Sequence, residues 1–227
     1  MTSVGAYRER AWHDREVASL ERPRLRGVFH EWAFFAALGG AGLLLVLAAG
    51  ARETVAAAVY VAALAAMFGA SALYHRVTWR PEVRRWMRRL DHSTIFLFIA
   101  GTYTPFSLLV LGGTLGWVVF GVVWAGAAAG LVLTLAWIHA PKWLTGVVYV
   151  ALGWVGVVAG PRIFSGAGVT AATLVLVGGV LYTVGAVVYA RRRPDPWPAT
   201  FGYHEIFHLL VVAAAALQFV AVAIVIA

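Results

Sequence analysis

The stretch VTAATLVLVGGVLYTVGAVVYARRR, from Val169 to Arg193, decides the fold class. No charged side chain occurs between Val169 and Ala190, and three arginines then follow in a row. An uncharged apolar run of about twenty residues rises about 30 Å as a helix, enough to cross the hydrocarbon core of a bilayer. Arginines in a short loop after such a run mark its cytoplasmic end. The stretch therefore predicts a membrane helix that finishes inside the cell.

Six further runs of the same kind surround it. They lie roughly at Val28 to Ala49, Thr54 to Arg76, Leu90 to Leu111, Thr114 to Trp137, Trp143 to Gly160 and Thr200 to Ala227. Only Gly112 and Gly113 separate the third from the fourth, and twin glycines favour a turn over one long helix. The whole chain has the same character, since 62% of its 227 residues are hydrophobic and 12% charged, against about a quarter charged in soluble domains. The first run is long enough to span and lacks a small-residue cleavage site, so it reads as a helix and not as a signal peptide.

Placing the Lys and Arg residues on a seven-helix topology gives the orientation. With the N-terminus inside, 16 of the 18 basic residues fall on the cytoplasmic side, leaving only Arg52 and Arg162 outside. Cytoplasmic loops retain Lys and Arg, so this asymmetry predicts an all-α bundle of seven transmembrane helices with its N-terminus cytoplasmic and its C-terminus outside. Residues 1–26 form a cytoplasmic tail, interfacial or solvated, and residues 27–227 the membrane domain. The formal charge of +8 is then accounted for by topology and anionic lipid, with no need for nucleic acid. The predicted location is the plasma or inner membrane, multi-pass.

Cysteine is absent, which excludes disulfides, thiolate ligands and a cysteine nucleophile, so any metal must use His, Asp or Glu. Polar groups in a bilayer are costly and need a partner or a purpose. They gather here: the second run ends Ser71-Ala72-Leu73-Tyr74-His75, the third opens Asp91-His92-Ser93, and the seventh opens His204-Glu205-Ile206-Phe207-His208. The topology, set from Lys and Arg alone, puts all three at one cytoplasmic depth.

His204 and His208 are four apart and share a helix face. With His75 they would give zinc three imidazoles and an open fourth position, the catalytic arrangement. Asp91 would hold or deprotonate a water there. Singly, each residue has a plainer reading: a histidine at a helix end is commonly interfacial, and Asp91 at a helix start favours the helix dipole. Their coincidence at one depth favours the metal. His-Glu-Ile-Phe-His also fits H-E-x-x-H, in which Glu205 would be the base of a metalloprotease.

Thr102, Thr104 and Pro105 lie about 16 to 21 Å along a helix from Asp91, too far to reach the metal, and read as a proline kink with threonine hydroxyls re-satisfying the backbone. His30 and His92 sit near the right depth and could support the ligands from behind, but read first as structural. His13, His139 and the tryptophans near run ends read as loop or interface residues. The GxxxG spacings Gly126/Gly130 and Gly156/Gly160 would allow close helix approach.

Four segments together carry a family resemblance: PRLRGVFH (Pro23 to His30), SALYHR (Ser71 to Arg76), LDHSTIFLFIAGTYTPF (Leu90 to Phe106) and GYHEIFH (Gly202 to His208). They resemble the hemolysin III group of the progestin and adiponectin Q receptor family over nearly the whole chain. The resemblance implies a seven-helix fold with zinc on His75, His204 and His208, Asp91 contacting the water on that zinc, and Ser71 as the family's helix-two serine. It gives Glu205 no catalytic role. Through the wider superfamily, which includes alkaline ceramidases, it implies hydrolysis of a lipid amide or ester, the partner being a membrane lipid substrate or ligand. Two other functions fit the same residues: a receptor or sensor in which zinc staples helices, and a hemolysin-type pore. A pore should carry polar residues along its length, whereas here they crowd one end. Substrate and oligomeric state are not encoded legibly.

Overall fold

The computed structural model describes residues 23–137 and 142–227. The predicted tail lies almost wholly outside the described residues, as do His13 and His139. Among the described residues the fold is all-helical, with no strand beyond one isolated bridge between Trp197 and Phe201. The helices are α1 (Val28–Leu47), α2 (Ala51–Arg76), α3 (Pro81–Pro105), α4 (Gly113–Ala136), α5 (Lys142–Gly153), α6 (Gly160–Arg191) and α7 (Tyr203–Ile226).

Among the described residues, six stretches are long and apolar enough to cross a membrane: α1, α2, Pro81–Leu111, α4, Leu144–Arg191 and α7. The fifth is 48 residues long and not straight. A 3₁₀ segment, Val155–Ala159, follows α5, and Gly168 breaks α6 with φ 79° and ψ 163°. The expected runs Trp143 to Gly160 and Val169 to Ala190 thus join into one irregular stretch, because the glycines between them turn the chain without lowering its hydropathy.

Large apolar side chains cover the outer surface, among them Trp32, Phe35, Val46, Trp117, Val158 and Val169. In water such a surface would aggregate; in lipid it is solvated by acyl chains. Without a hydrophobic gradient to drive association, the helices rely on close contact through small residues. A Cβ on Gly101 of α3 would lie 2.5 Å from Cβ of Ala63 on α2, and one on Gly130 of α4 would lie 2.3 Å from the buried Phe96 of α3. Gly126 of the same spacing meets Leu152 of α5. Gly156/Gly160 is different: Gly156 faces Tyr103 from the 3₁₀ segment and nothing approaches Gly160, so that spacing is not a helix-packing motif.

α3 is the central helix and begins nine residues earlier than the run Leu90 to Leu111 suggests. Pro81 occupies its first turn, a position where the missing N–H costs nothing. Arginine is a good helix former, so the basic segment continues the helix instead of forming a loop. At the other end, Thr102 and Thr104 hydroxyls donate to the carbonyls of Phe98 and Ala100, 2.9 Å each. Trp124 Nε1 donates to Thr104 Oγ1 at 3.2 Å. The chain then widens into a π-helix over Phe106–Leu111, the usual accommodation of a residue that cannot supply its backbone bond. Gly112 and Gly113, at φ 54° and 48°, make the turn into α4.

Candidate metal centre

At the Arg-rich end of the bundle, α2 brings down His75 and α7 presents His204 and His208 one turn apart. The ligand-capable atoms of these three lie within 4.8 Å of one another, and Nε2 of His204 stands 3.2 Å from Nε2 of His75. A tetrahedral ion with bonds of about 2.0–2.1 Å needs nitrogens roughly 3.3 Å apart. The donor set and its spacing fit such an ion. His208 is 2% exposed, so its ring enters the cluster with almost no access to water, and an unpaired imidazole nitrogen there is one a cation would satisfy.

Asp91, in the third turn of α3, directs its carboxylate at the cluster. Its Oδ2 lies 3.9 Å from His75 Nε2 and 3.4 Å from His92 Nδ1. Ser71, one turn before His75 and 3% exposed, is a further polar neighbour of that carboxylate. Tyr149 holds the local backbone of α3 by donating to the His92 carbonyl at 2.9 Å.

Glu205 sits elsewhere. Its side chain is fully buried, one oxygen ion-paired to Arg26 and the other accepting the Gly202 N–H at 2.9 Å. It caps α7 and ties down the segment before α1, whose Arg24 and Leu25 amides bond the Ala199 and Thr200 carbonyls. Breaking such a pair by removing one partner costs about 3–5 kcal/mol. Glu205→Gln is therefore expected to lower the unfolding temperature while leaving the metal-binding capacity of the histidine cluster intact, as read by differential scanning fluorimetry beside metal analysis. A glutamate base would give the opposite pattern, full stability with no turnover.

Three contacts around the cluster were not readable from spacing, although His30 itself lies at the depth the sequence indicated. His30 of α1 stacks on His208 with ring centroids 3.8 Å apart and planes 9° from parallel, and it meets Phe68 on its other side at 5.1 Å. Tyr189 of α6 packs against His204 at 5.5 Å. Gly27 lets the entering segment press against His75: it has φ +80°, and a Cβ there would lie 2.7 Å from Cβ of His75. Gly27→Ala would strain the backbone by about 1–2 kcal/mol and push His75 off its axis. Weaker retention of an added divalent metal against a competing chelator is the expected outcome.

From this cluster a cavity of about 410 Å³ runs into the bundle. Its walls descend α3 from Asp91 through Phe98 and Thr102, about 21 Å of helix rise to Pro105, and continue along the π-helix at Phe106 and Leu111. Most of the lining is apolar, with Thr102, Tyr103, Tyr182, Thr183 and Gln218 among the polar side chains along it.

A sequence model described as Haemolysin-III related matches residues 18–219. The chain belongs to this family. Hemolysin-3 of Bacillus cereus is 32% identical over 169 residues, 74% of each chain. The Hemolysin-3 homolog of Bacillus subtilis (strain 168) is 30% identical over 169 residues, 74% of this chain and 76% of its own. More distant is the human monocyte to macrophage differentiation factor, a member of the progestin and adiponectin Q receptor family, at 25% over 197 residues, 85% of this chain and 79% of the relative. As a haemolysin-III related protein, the chain is a multi-pass membrane protein, in keeping with its six apolar stretches. Its three histidines are positioned as a possible metal site within that family's matched region.

Proposed function

We propose that this haemolysin-III related protein is a zinc-dependent hydrolase of membrane-lipid amides or esters. The observation that carries the proposal is the convergence of three imidazoles and one carboxylate at the head of a long apolar cavity. Such a pocket takes an acyl chain along its length and presents the chain's polar junction to the cluster.

In this reading the protein spans the membrane seven times, with residues 1–26 a cytoplasmic tail and 27–227 the membrane domain. A stretch of 48 residues would rise about 72 Å as a helix, more than twice the hydrocarbon thickness, and its breaks at Val155–Ala159 and Gly168 provide a return point. The C-terminus is then outside and the histidine cluster cytoplasmic, as the distribution of Lys and Arg requires.

His75, His204 and His208 would hold the zinc. When bound, it supplies a Lewis acid and lowers the pKa of a coordinated water to about 7. Asp91 takes the proton from the attacking water, and Ser71 orients the Asp91 carboxylate. Over one turnover the water oxygen bonds to the acyl carbon, the C–N or C–O bond breaks, and Asp91 returns the proton to the leaving amine or alcohol. The cavity wall keeps bulk water from the acyl chain. Its predominantly apolar lining, with no charged side chain beyond the arginines and the Asp91–histidine cluster, argues against an ion path.

The test is turnover of a lipid panel that includes ceramide by purified, zinc-loaded protein, with products read by mass spectrometry. Wild type is expected to release fatty acid and His75→Ala to release none. Stoichiometric zinc with no turnover across the panel would instead assign the metal a stapling role between α2 and α7.

A further inference from the structure

α3 carries four arginines before Asp91, and they do not share one role. Arg88 and Arg89 line the cavity, while Arg84 and Arg85 do not. Arg88 precedes Asp91 by three residues and Arg89 precedes His92 by three, the spacing that puts side chains on one helix face. Both residues therefore lie on the cavity side of α3, about one helix turn before Asp91 and His92 and toward its Arg-rich end.

Among the described residues, the buried or paired carboxylates at this end of the bundle are engaged elsewhere, and Glu82, exposed in the first turn of α3, makes no ion pair with either arginine. Glu205 pairs with Arg26, Glu31 with Arg76 at 2.7 Å, Asp91 faces His75 and His92, and Asp195 accepts the Tyr203 N–H at 2.9 Å. Among the described residues neither Arg88 nor Arg89 forms an ion pair. Arg89 is held by stacking, its Cζ 4.5 Å above the Trp86 ring, and its Nε is buried with no hydrogen-bond partner. A buried guanidinium donor without an acceptor is costly. Planar guanidinium forks are matched to phosphate oxygens.

We propose that Arg88 and Arg89 form a phosphate-binding subsite at the mouth of the cavity, and that the ligand is an acyl amphiphile bearing a phosphate headgroup. This rests on the reading of the cavity as an acyl-chain site. The chain lies in the apolar channel, its amide or ester junction meets the cluster, and the phosphate sits on the two arginines. Exposed Arg80 and Arg85, outside the cavity, supply only the general attraction to anionic lipid.

The experiment uses zinc-loaded full-length protein in zwitterionic nanodiscs, titrated with ceramide or with ceramide 1-phosphate of the same acyl length, binding being read by thermal shift. Wild type is expected to favour the phosphorylated lipid by about ten-fold or more, the scale of hydrogen bonds to charged groups. R88Q/R89Q should lose that preference and keep its zinc, whereas R80Q/R85Q should retain it. Competition by inorganic phosphate at matching concentration would support the subsite with a free phosphate as its source; failure to compete supports the lipid. Equal affinity of wild type for the two lipids, a comparison that needs no variant, overturns the proposal, as does a preference that survives in R88Q/R89Q. Tight, selective binding with no turnover defeats the hydrolase reading alone, and turnover of neutral ceramide without selectivity defeats the subsite alone.

Discussion

His208→Ala is expected to abolish stoichiometric zinc retention and to make the protein's unfolding temperature insensitive to chelator. His208 is the most buried of the three clustered imidazoles, and two histidines from different helices would hold an ion far more weakly than three. A ligand that binds only the native state stabilises it by mass action, about 4 kcal/mol at a thousand-fold excess over its Kd. Wild type treated with chelator should therefore melt at the lower temperature of the variant. His30→Ala is the matched control, because it removes the ring stacked at 3.8 Å on His208 and leaves all three nitrogens of the cluster. It should lose packing stability yet keep its zinc. Loss of zinc in both variants would show that the stack, and not the ligand set, governs binding.

The second large effect is on turnover. Asp91→Asn conserves shape and leaves His75, His204 and His208 untouched, but an amide cannot take a proton from water. Removal of a positioned general base costs roughly 10²–10⁴ in rate. Zinc content and melting should stay near wild type while fatty-acid release falls by that factor. A variant with wild-type turnover would remove Asp91 from the chemistry and leave it as a partner of His92, 3.4 Å away.

Much of this was legible in the sequence because lipid enforces it. Uncharged runs such as Val169 to Ala190 must be helical, since no water is available to satisfy their backbone. His204 and His208 reveal a shared face by spacing alone. The boundaries of α3 were not legible, because a run of arginines that hydropathy scores as a loop is also a good helix, and Pro81 suits its first turn. The irregular stretch from Gly153 to Gly168 was hidden for the opposite reason, its glycines being apolar enough to resemble a span. His30 looked like a lone histidine: its place against His208 depends on how α1 packs on α7, which no local spacing encodes. The Arg26–Glu205 pair joins residues 179 apart in sequence, so H-E-x-x-H suggested a base where the fold builds a cap.

The most direct test is X-ray absorption at the zinc edge on the purified wild-type protein. Three imidazole nitrogens and one oxygen donor at about 2.0–2.1 Å are expected, with one imidazole contribution missing in any weakly loaded His75→Ala, His204→Ala or His208→Ala sample. No bound zinc after reconstitution, or a shell of oxygen donors alone, would contradict the three-histidine centre.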